Sequence, residues 1–369
     1  MNWLLIVLLP YMIIFLIFWI SLQQEGKKAR EGDKKLKSQK KVLSVVIPLK
    51  NEESNIQNLI HDLAAQSLDQ DHFEVIFVDD ASSDSTLEII QASGKLLNVY
   101  KILLSPGHGK KKAIAHGINY AKSEFIVSTD GDCRVEKEWL QEIYNFIISY
   151  HADMIIGAVD IINTGSFINR FIQLEFLGLQ AVTEVFAKAG KPVICNGANL
   201  CFRNPGSEKY IEMVNETVTS GDDIFLMESY RKDGKIISWI DSPSSMVMTQ
   251  GPGSMKTFIK QRIRWTSKSP FYTQPSLILL ALLVFLTNLL ISAAFIASFF
   301  IPGMWIIFIS LFIMKSIPDL LILAVMARKR NKPGLLQLFI PAQLIYPLYV
   351  VTTGMAGVVT GLFSSRQGK

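Results

Sequence analysis

Residues Trp3 to Leu22 contain no charge, and three further apolar runs close the chain, about Pro275 to Phe300, Met304 to Ala327 and Leu335 to Phe363. About 20 such residues suffice to cross a hydrocarbon core of about 30 Å. Four membrane helices are therefore expected around whatever else the sequence builds. No basic residue precedes the first run and no small-x-small cleavage site follows it. A basic segment follows instead, which predicts a retained anchor with its N-terminus outside rather than a cleaved signal. The link Ile301-Pro302-Gly303 is uncharged and the link Arg328 to Lys332 is basic, so the sides alternate consistently and both termini fall outside. The last run contains Pro341 and Pro347, with Gly357 and Gly361 at GxxxG spacing. It reads as a kinked helix with a close-packed face, or as an interfacial helix plus a shorter span. Lys315 and Asp319 lie four apart within the third span, where charge is costly, and are expected to form an internal ion pair.

The formal charge of +5 does not predict nucleic-acid binding once it is located. Lys27, Lys28, Arg30, Lys34, Lys35, Lys37, Lys40 and Lys41 stand against only Glu31 and Asp33, a local surplus of +6 that exceeds that of the whole chain. This cluster adjoins an apolar run, where Lys and Arg contact anionic lipid headgroups and mark a cytoplasmic flank. The three cysteines, Cys133, Cys195 and Cys201, include no C-x-x-C pair, which excludes a disulfide framework or a zinc site and fits a reducing cytosolic face.

Between the apolar regions, strand and helix signals alternate. Leu43 to Ile47, Glu74 to Val78, Val99 to Leu104 and Phe125 to Thr129 read as strands. Ser54 to Gln66 reads as a helix opened by a Ser54/Gln57 capping box, and Ser85 with Glu88 opens a second. Lys110 to Lys122 and Glu136 to Ser149 complete the helices, and Ser166 to Lys191 is a longer apolar helical stretch. Such alternation implies an α/β fold with a mostly parallel, Rossmann-like sheet covered by helices. The expected organisation is a membrane helix at 1–23, a basic linker at 24–41, a soluble domain at 42–254, an interfacial amphipathic helix at 255–272, three membrane helices at 273–363 and a tail at 364–369.

Ligands in such sheets bind beyond the carboxyl ends of the strands. Here Val75 to Val78 runs into Asp79 and Asp80, and Phe125 to Thr129 runs into Asp130-Gly131-Asp132. One such cluster is an ordinary turn. Two at strand ends predict a site. Carboxylates spaced D-x-D can converge on a hard cation, Mg²⁺ or Mn²⁺, which also takes phosphate oxygens. A nucleotide diphosphate would supply these, and Asp79 or Asp80 could accept hydrogen bonds from the base or ribose. Asp222 and Asp223 open another helix; there they can favour the helix terminus and also take a proton from an acceptor hydroxyl. Gln261, Arg264 and Trp265 share one face of an amphipathic helix, suiting a diphosphate, a sugar ring or a headgroup interface. Gly107 to Lys112 lacks the spacing and the Ser or Thr of a P-loop, so an ATPase reading fails.

Several pieces occur together and in order: Val45-Val46-Ile47-Pro48 with Asn51-Glu52-Glu53, Val78 to Thr86, Gly109-Lys110 through Gly117, Asp130-Gly131-Asp132, Asn196-Gly197-Ala198-Asn199, the acidic pair before Ile224, and Gln261 to Trp265. Over about residues 43 to 270 the sequence resembles the family 2 glycosyltransferases, specifically the membrane-embedded kind that includes cellulose, chitin and hyaluronan synthases. The resemblance implies an A-type glycosyltransferase fold, with Pro48, Asn51, Glu52, Asp79, Asp80, Lys110 and Asp130 at the nucleotide sugar. It implies Asp130 and Asp132 at a metal, Asp223 as general base, and Gln261, Arg264 and Trp265 where pyrophosphate and acceptor meet. Two departures are visible: Gly221-Asp222-Asp223 replaces a Glu-Asp or Thr-Glu-Asp, which leaves Asp222 as an alternative base, and Asp130-Gly131-Asp132 replaces the commoner Asp-Ala-Asp. Both keep the needed carboxylates.

The expected activity is inverting, metal-dependent transfer from a nucleotide-diphosphate sugar, with UDP as the preferred nucleotide, at the cytosolic face of the cell (inner) membrane. A lipid-linked or glycan acceptor is preferred over processive polymer synthesis, because four spans leave little for a channel unless a further membrane subunit completes a pore. A nucleotidyltransferase would have no use for the Arg264-Trp265 helix. A non-catalytic scaffold or transporter would bind nucleotide without turnover and has no need of every acidic pair.

Overall fold

The structure is a computed structural model describing residues 7–24, 42–214 and 221–367, with side chains through residue 363. Trp3, the eight basic residues of the expected linker and Ser220 lie outside the described residues. The strands are β1 (Leu43–Leu49), β2 (Phe73–Asp79), β3 (Tyr100–Leu104), β4 (Phe125–Ser128), β5 (Arg134–Val135), β6 (Met154–Gly157), β7 (Val159–Ile161), β8 (Leu200–Arg203), β9 (Ile237–Ile240) and β10 (Val247–Thr249). The helices are α1 (Leu9–Gln23), α2 (Ile56–Ala64), α3 (Thr86–Ser93), α4 (Lys110–Tyr120), α5 (Trp139–Tyr150), α6 (Phe167–Lys188), α7 (Ser207–Met213), α8 (Asp222–Lys232), α9 (Met255–Thr266), α10 (Pro275–Ala297), α11 (Met304–Lys329) and α12 (Phe339–Gln367). They fall into two compact units, one of Gly26–Ile162 and Phe186–Gln250, the other of Met1–Glu25, Asn163–Val185 and Gly251–Lys369.

The first unit is built on a seven-stranded sheet in the order β3-β2-β1-β4-β8-β6-β9. β1 pairs in parallel with both β2 and β4, whereas β8 runs antiparallel to β4 and β6. The central strands read as near-continuous apolar runs because both sheet faces are covered. Val45, Val46, Ile47 and Val75 to Val78 are fully buried. A second sheet, β5-β10-β7, carries the segment after Asp132. The expected Ser54/Gln57 capping box is absent: Asn55 occupies the N-cap of α2 without a side-chain bond. Loop–loop pairing overrides it. Asn51 and Glu52 donate backbone N–H groups to Ser82 and Thr86, while Ser83 and Ser85 donate to Asn51 and Glu53. These bonds fix where the chain enters α2. Ser85 likewise stands at the N-cap of α3 without a side-chain bond, its place taken by Asp84, which accepts from Thr86.

In the second unit, Pro275–Ala297, Met304–Lys329 and Pro333–Phe363 are long and apolar enough to cross a membrane. The described part of the first expected span is the 15-residue α1. Leu8, just before α1, packs with Ile291, Ala294, Ile307 and Leu311 from α10 and α11. The last segment begins with a 3-10 turn, Pro333–Leu338, and continues as one helix containing Pro347. Its glycines are used as expected of a close-packed face. A Cβ on Gly357 would lie 1.9 Å from Thr266 Oγ1, and one on Gly361 would lie 2.2 Å from the Ser267 carbonyl oxygen. The stripe therefore seats the C-terminal end of α9.

Lys315 and Asp319 form the expected ion pair at 2.8 Å. Gln343 bridges them, accepting from Lys315 at 2.5 Å and donating to Asp319 at 2.9 Å, and Tyr11 donates to the other Asp319 oxygen at 2.7 Å. The buried charge is thus shared among α1, α11 and α12, which answers the desolvation cost of placing it there.

Candidate active site

The parallel register of β1, β2 and β4 brings their carboxyl ends to one edge of the sheet. Asp79 closes β2 opposite Leu49, and Asp130 follows β4 by two residues. Asp79 and Asp80 are both buried. Asp79 accepts the Ser82 N–H at 3.1 Å, so one oxygen serves its own turn. Asp80 accepts the Gly109 N–H at 2.9 Å and lies 3.6 Å from the Lys50 ammonium. Its Oδ1 has no hydrogen-bond partner. That leaves an acceptor for a ligand N–H or O–H. Pro48 is on β1 opposite Val78, and Asn51 is occupied in holding the Ser82–Ser83 turn.

Lys110 starts α4 directly after Gly109 and joins the acidic clusters. Its Nζ lies 2.5 Å from Asp130 Oδ1. Burial works against its charge, but Asp130, then Asp222 and Asp223, hold the ammonium well above the ordinary lysine value. On the far side Asp223 accepts the Gly197 N–H at 3.2 Å through Oδ2 and the Ile224 N–H at 2.9 Å through Oδ1. Both oxygens are thereby aimed by backbone. Burial, opposed by Lys110 and reinforced by Asp223, raises the Asp222 carboxyl above the usual carboxylate range. Gly221, not an aspartate, forms the N-cap of α8, so neither acid is a side-chain cap.

Asp132 accepts from Thr249 Oγ1 at 3.2 Å and from the Cys133 thiol at 3.6 Å. Burial and then the neighbouring Asp130 push its carboxyl up. Glu52 is raised too, chiefly by burial, with Asn55 opposing and Asp132 and Asp130 adding. Such mutual repulsion among half-hidden carboxylates is what a divalent cation would relieve. Among the described residues no three His, Cys, Asp or Glu side chains form a complete metal cage. Two carboxylates plus phosphate oxygens are the ligand set that Mg²⁺ and Mn²⁺ accept, so the residues fit a metal that arrives with its nucleotide.

The glycine of Asp130-Gly131-Asp132 has a local cause. A Cβ there would lie 2.5 Å from Leu49 Cδ2 and 2.8 Å from Glu52 Cγ. Gly131→Ala is expected to destabilise the protein by about 1–3 kcal/mol through overpacking. A denaturant midpoint that does not move would show that this contact relaxes freely.

Gln261, Arg264 and Trp265 lie on α9 in the second unit, with Arg264 exposed and the other two half-buried. Sequence pattern missed the residue between them. Arg262 is buried and pairs with Glu175 of α6, 87 positions away. Asn199, in the Asn196-Gly197-Ala198-Asn199 piece, is given no role by sequence: its side chain accepts from the Trp139 indole at 3.1 Å and donates to the Ala158 and Ser245 carbonyls.

Residues 44–210 match the profile of glycosyl transferase family 2. The chain is 35% identical over 116 residues to the poly(ribitol-phosphate) beta-N-acetylglucosaminyltransferase TarS of Staphylococcus aureus, covering 31% of this chain and 20% of TarS. It is 40% identical over 95 residues to the undecaprenyl-phosphate 4-deoxy-4-formamido-L-arabinose transferase of Photorhabdus laumondii, covering 25% of this chain and 29% of that one. It thus spans under a third of the length of either relative. The mannosyltransferase PcManGT of Pyrobaculum calidifontis, solved with GDP-Man and Mn²⁺, shares the fold with a TM-score of 0.58 at 16% identity, covering 98% of both chains. The strand-end carboxylates Asp79, Asp80, Asp130 and Asp132 therefore lie within the stretch, residues 44–210, that matches glycosyl transferase family 2.

Proposed function

We propose that the chain is a membrane-bound, inverting glycosyltransferase of the membrane-embedded kind, moving a sugar from a nucleotide-diphosphate donor to a lipid-linked or glycan hydroxyl. The observation that carries this reading is Lys110, whose ammonium touches Asp130 while answering the charges of Asp222 and Asp223. A donor-diphosphate site and a candidate base are thereby held within one charge network. Asp80 would accept from the nucleotide base, and Asp79, Pro48, Asn51 and Glu52 would shape the same pocket. Asp130 and Asp132 would hold Mg²⁺ or Mn²⁺, which supplies positive charge to offset that of the leaving diphosphate.

The acceptor O–H gives its proton to Asp223, with Asp222 the alternative, and the oxygen attacks the anomeric carbon. The sugar–phosphate bond breaks with its electron pair passing to the diphosphate oxygen, so configuration inverts. Gln261, Arg264 and Trp265 are assigned to the acceptor and the departing diphosphate. The two relatives named above carry a poly(ribitol phosphate) and an undecaprenyl phosphate in their names, which supports polymer-linked or lipid-linked acceptors. The ring cluster of Phe295, Phe299, Trp305 and Phe308 at one end of α11 and the basic Arg328–Lys332 turn at the other suit opposite membrane interfaces. This favours a cytosolic catalytic unit at the inner membrane, and a partner subunit would be needed only for polymer export.

The test is nucleotide release by the full chain in detergent with Mn²⁺ and a panel including UDP-glucose, UDP-N-acetylglucosamine and GDP-mannose. Release with a lipid extract as acceptor supports the reading. Nucleotide binding without release under any donor points instead to a scaffold.

A further inference from the structure

A buried ion pair gains little net stability over apolar residues of the same volume. The one between Arg262 and Glu175 is well hidden, with side chains 5% and 6% exposed. Its geometry shows what else it does. Arg262 donates through Nε to Glu175 Oε1 at 3.0 Å and through Nη2 to Oε2 at 2.5 Å, a bidentate fork. Tyr349 of α12 donates to the same carboxylate at 3.2 Å. The remaining arm, Nη1, donates to the Gln261 side-chain oxygen at 2.9 Å. The guanidinium carbon lies 4.0 Å from the centroid of the Trp265 ring and 4.7 Å from that of the Phe258 ring. Glu175 therefore holds Arg262, and Arg262 in turn holds Gln261 by a hydrogen bond and Trp265 by a cation–π contact.

We propose that Arg262, clamped by Glu175, is a positioning residue that presets Gln261 and Trp265 before substrate arrives. The inference rests on the acceptor role given to those two residues above. Lysine cannot replace this arginine, because an ammonium is a point charge without a planar face and cannot hold the fork, the Gln261 bond and the ring contact together.

The experiment measures nucleotide release by the full chain in membranes of the expressing host, using the sugar nucleotide that wild type turns over. Arg262→Lys is expected to lower kcat about 10- to 100-fold with donor KM changed by no more than about twofold. The double variant Arg262→Met/Glu175→Leu removes both charges together and is expected to keep the wild-type thermal midpoint while showing the same kcat loss. Full kcat in either variant overturns the proposal, as does a double variant that fails to fold, which would make the pair structural. Turnover by wild type with unaffected variants sinks only the positioning role. No turnover by wild type removes the functional reading on which it rests.

Discussion

Asp223→Asn is expected to lower sugar-transfer turnover by about 10²- to 10⁴-fold, the range that a positioned general base contributes. The amide is nearly isosteric, so packing around α8 is retained while the proton acceptor is lost. Both Asp223 oxygens accept backbone N–H groups, from Gly197 and Ile224, so the amide nitrogen of the variant must face one of two donors. A modest stability loss is expected alongside the kinetic one, and the thermal midpoint should be read with the rate. Asp222→Asn is the informative comparison. Both Asp223 oxygens are aimed by backbone N–H groups, so if Asp223 takes the proton the loss of Asp222, the alternative base, should cost less. Nucleotide binding by calorimetry should survive in both variants. Turnover within about threefold of wild type for Asp223→Asn would end the assignment of this residue as base.

The parts of this fold that could be read from sequence are those fixed by short-range pattern. β1, β2 and β4 are buried on both faces, so their apolar runs announce themselves, and the aspartates beyond β2 and β4 stand where parallel sheets bind ligands. β8 was not legible. Its four residues, Leu200–Arg203, follow the long α6 and carry no period, yet they slot antiparallel between β4 and β6. The Ser54/Gln57 cap failed for a related reason: a local motif lost to hydrogen bonds between loops some thirty positions apart.

The site shows the same division. The residue types were visible, but the links between them are long-range: Asp80 to Gly109, Asp130 to Lys110, Asp223 to Gly197. Arg262 drew no role from the sequence because its partner, Glu175, is far away in the chain. The Gly131 departure from the commoner alanine likewise needed the positions of Leu49 and Glu52.

Chelation of divalent cations is expected to weaken donor binding at least about 100-fold, or roughly 2.7 kcal/mol. The expectation follows from charge already in place. Glu52, Asp130, Asp132, Asp222 and Asp223 are linked electrostatically, and Lys110 is the cation that answers Asp130, Asp222 and Asp223. Two unit charges about 4 Å apart interact by about 4 kcal/mol at an effective dielectric of 20, so a diphosphate entering this cluster uncompensated meets strong repulsion. Lys110 can offset part of that by turning from Asp130 toward the phosphates, but doing so leaves Asp130 beside Asp132 without its counter-charge. Binding of UDP or GDP, measured by calorimetry on the full chain with Mn²⁺ and again with chelator, separates affinity from catalysis. Asp132→Asn should blunt the Mn²⁺ response, and Lys110→Met should weaken nucleotide binding even with Mn²⁺ present. Equal nucleotide affinity with and without the chelator would mean that Lys110 and Lys50 alone balance the diphosphate, and the metal reading of Asp130 and Asp132 would fall.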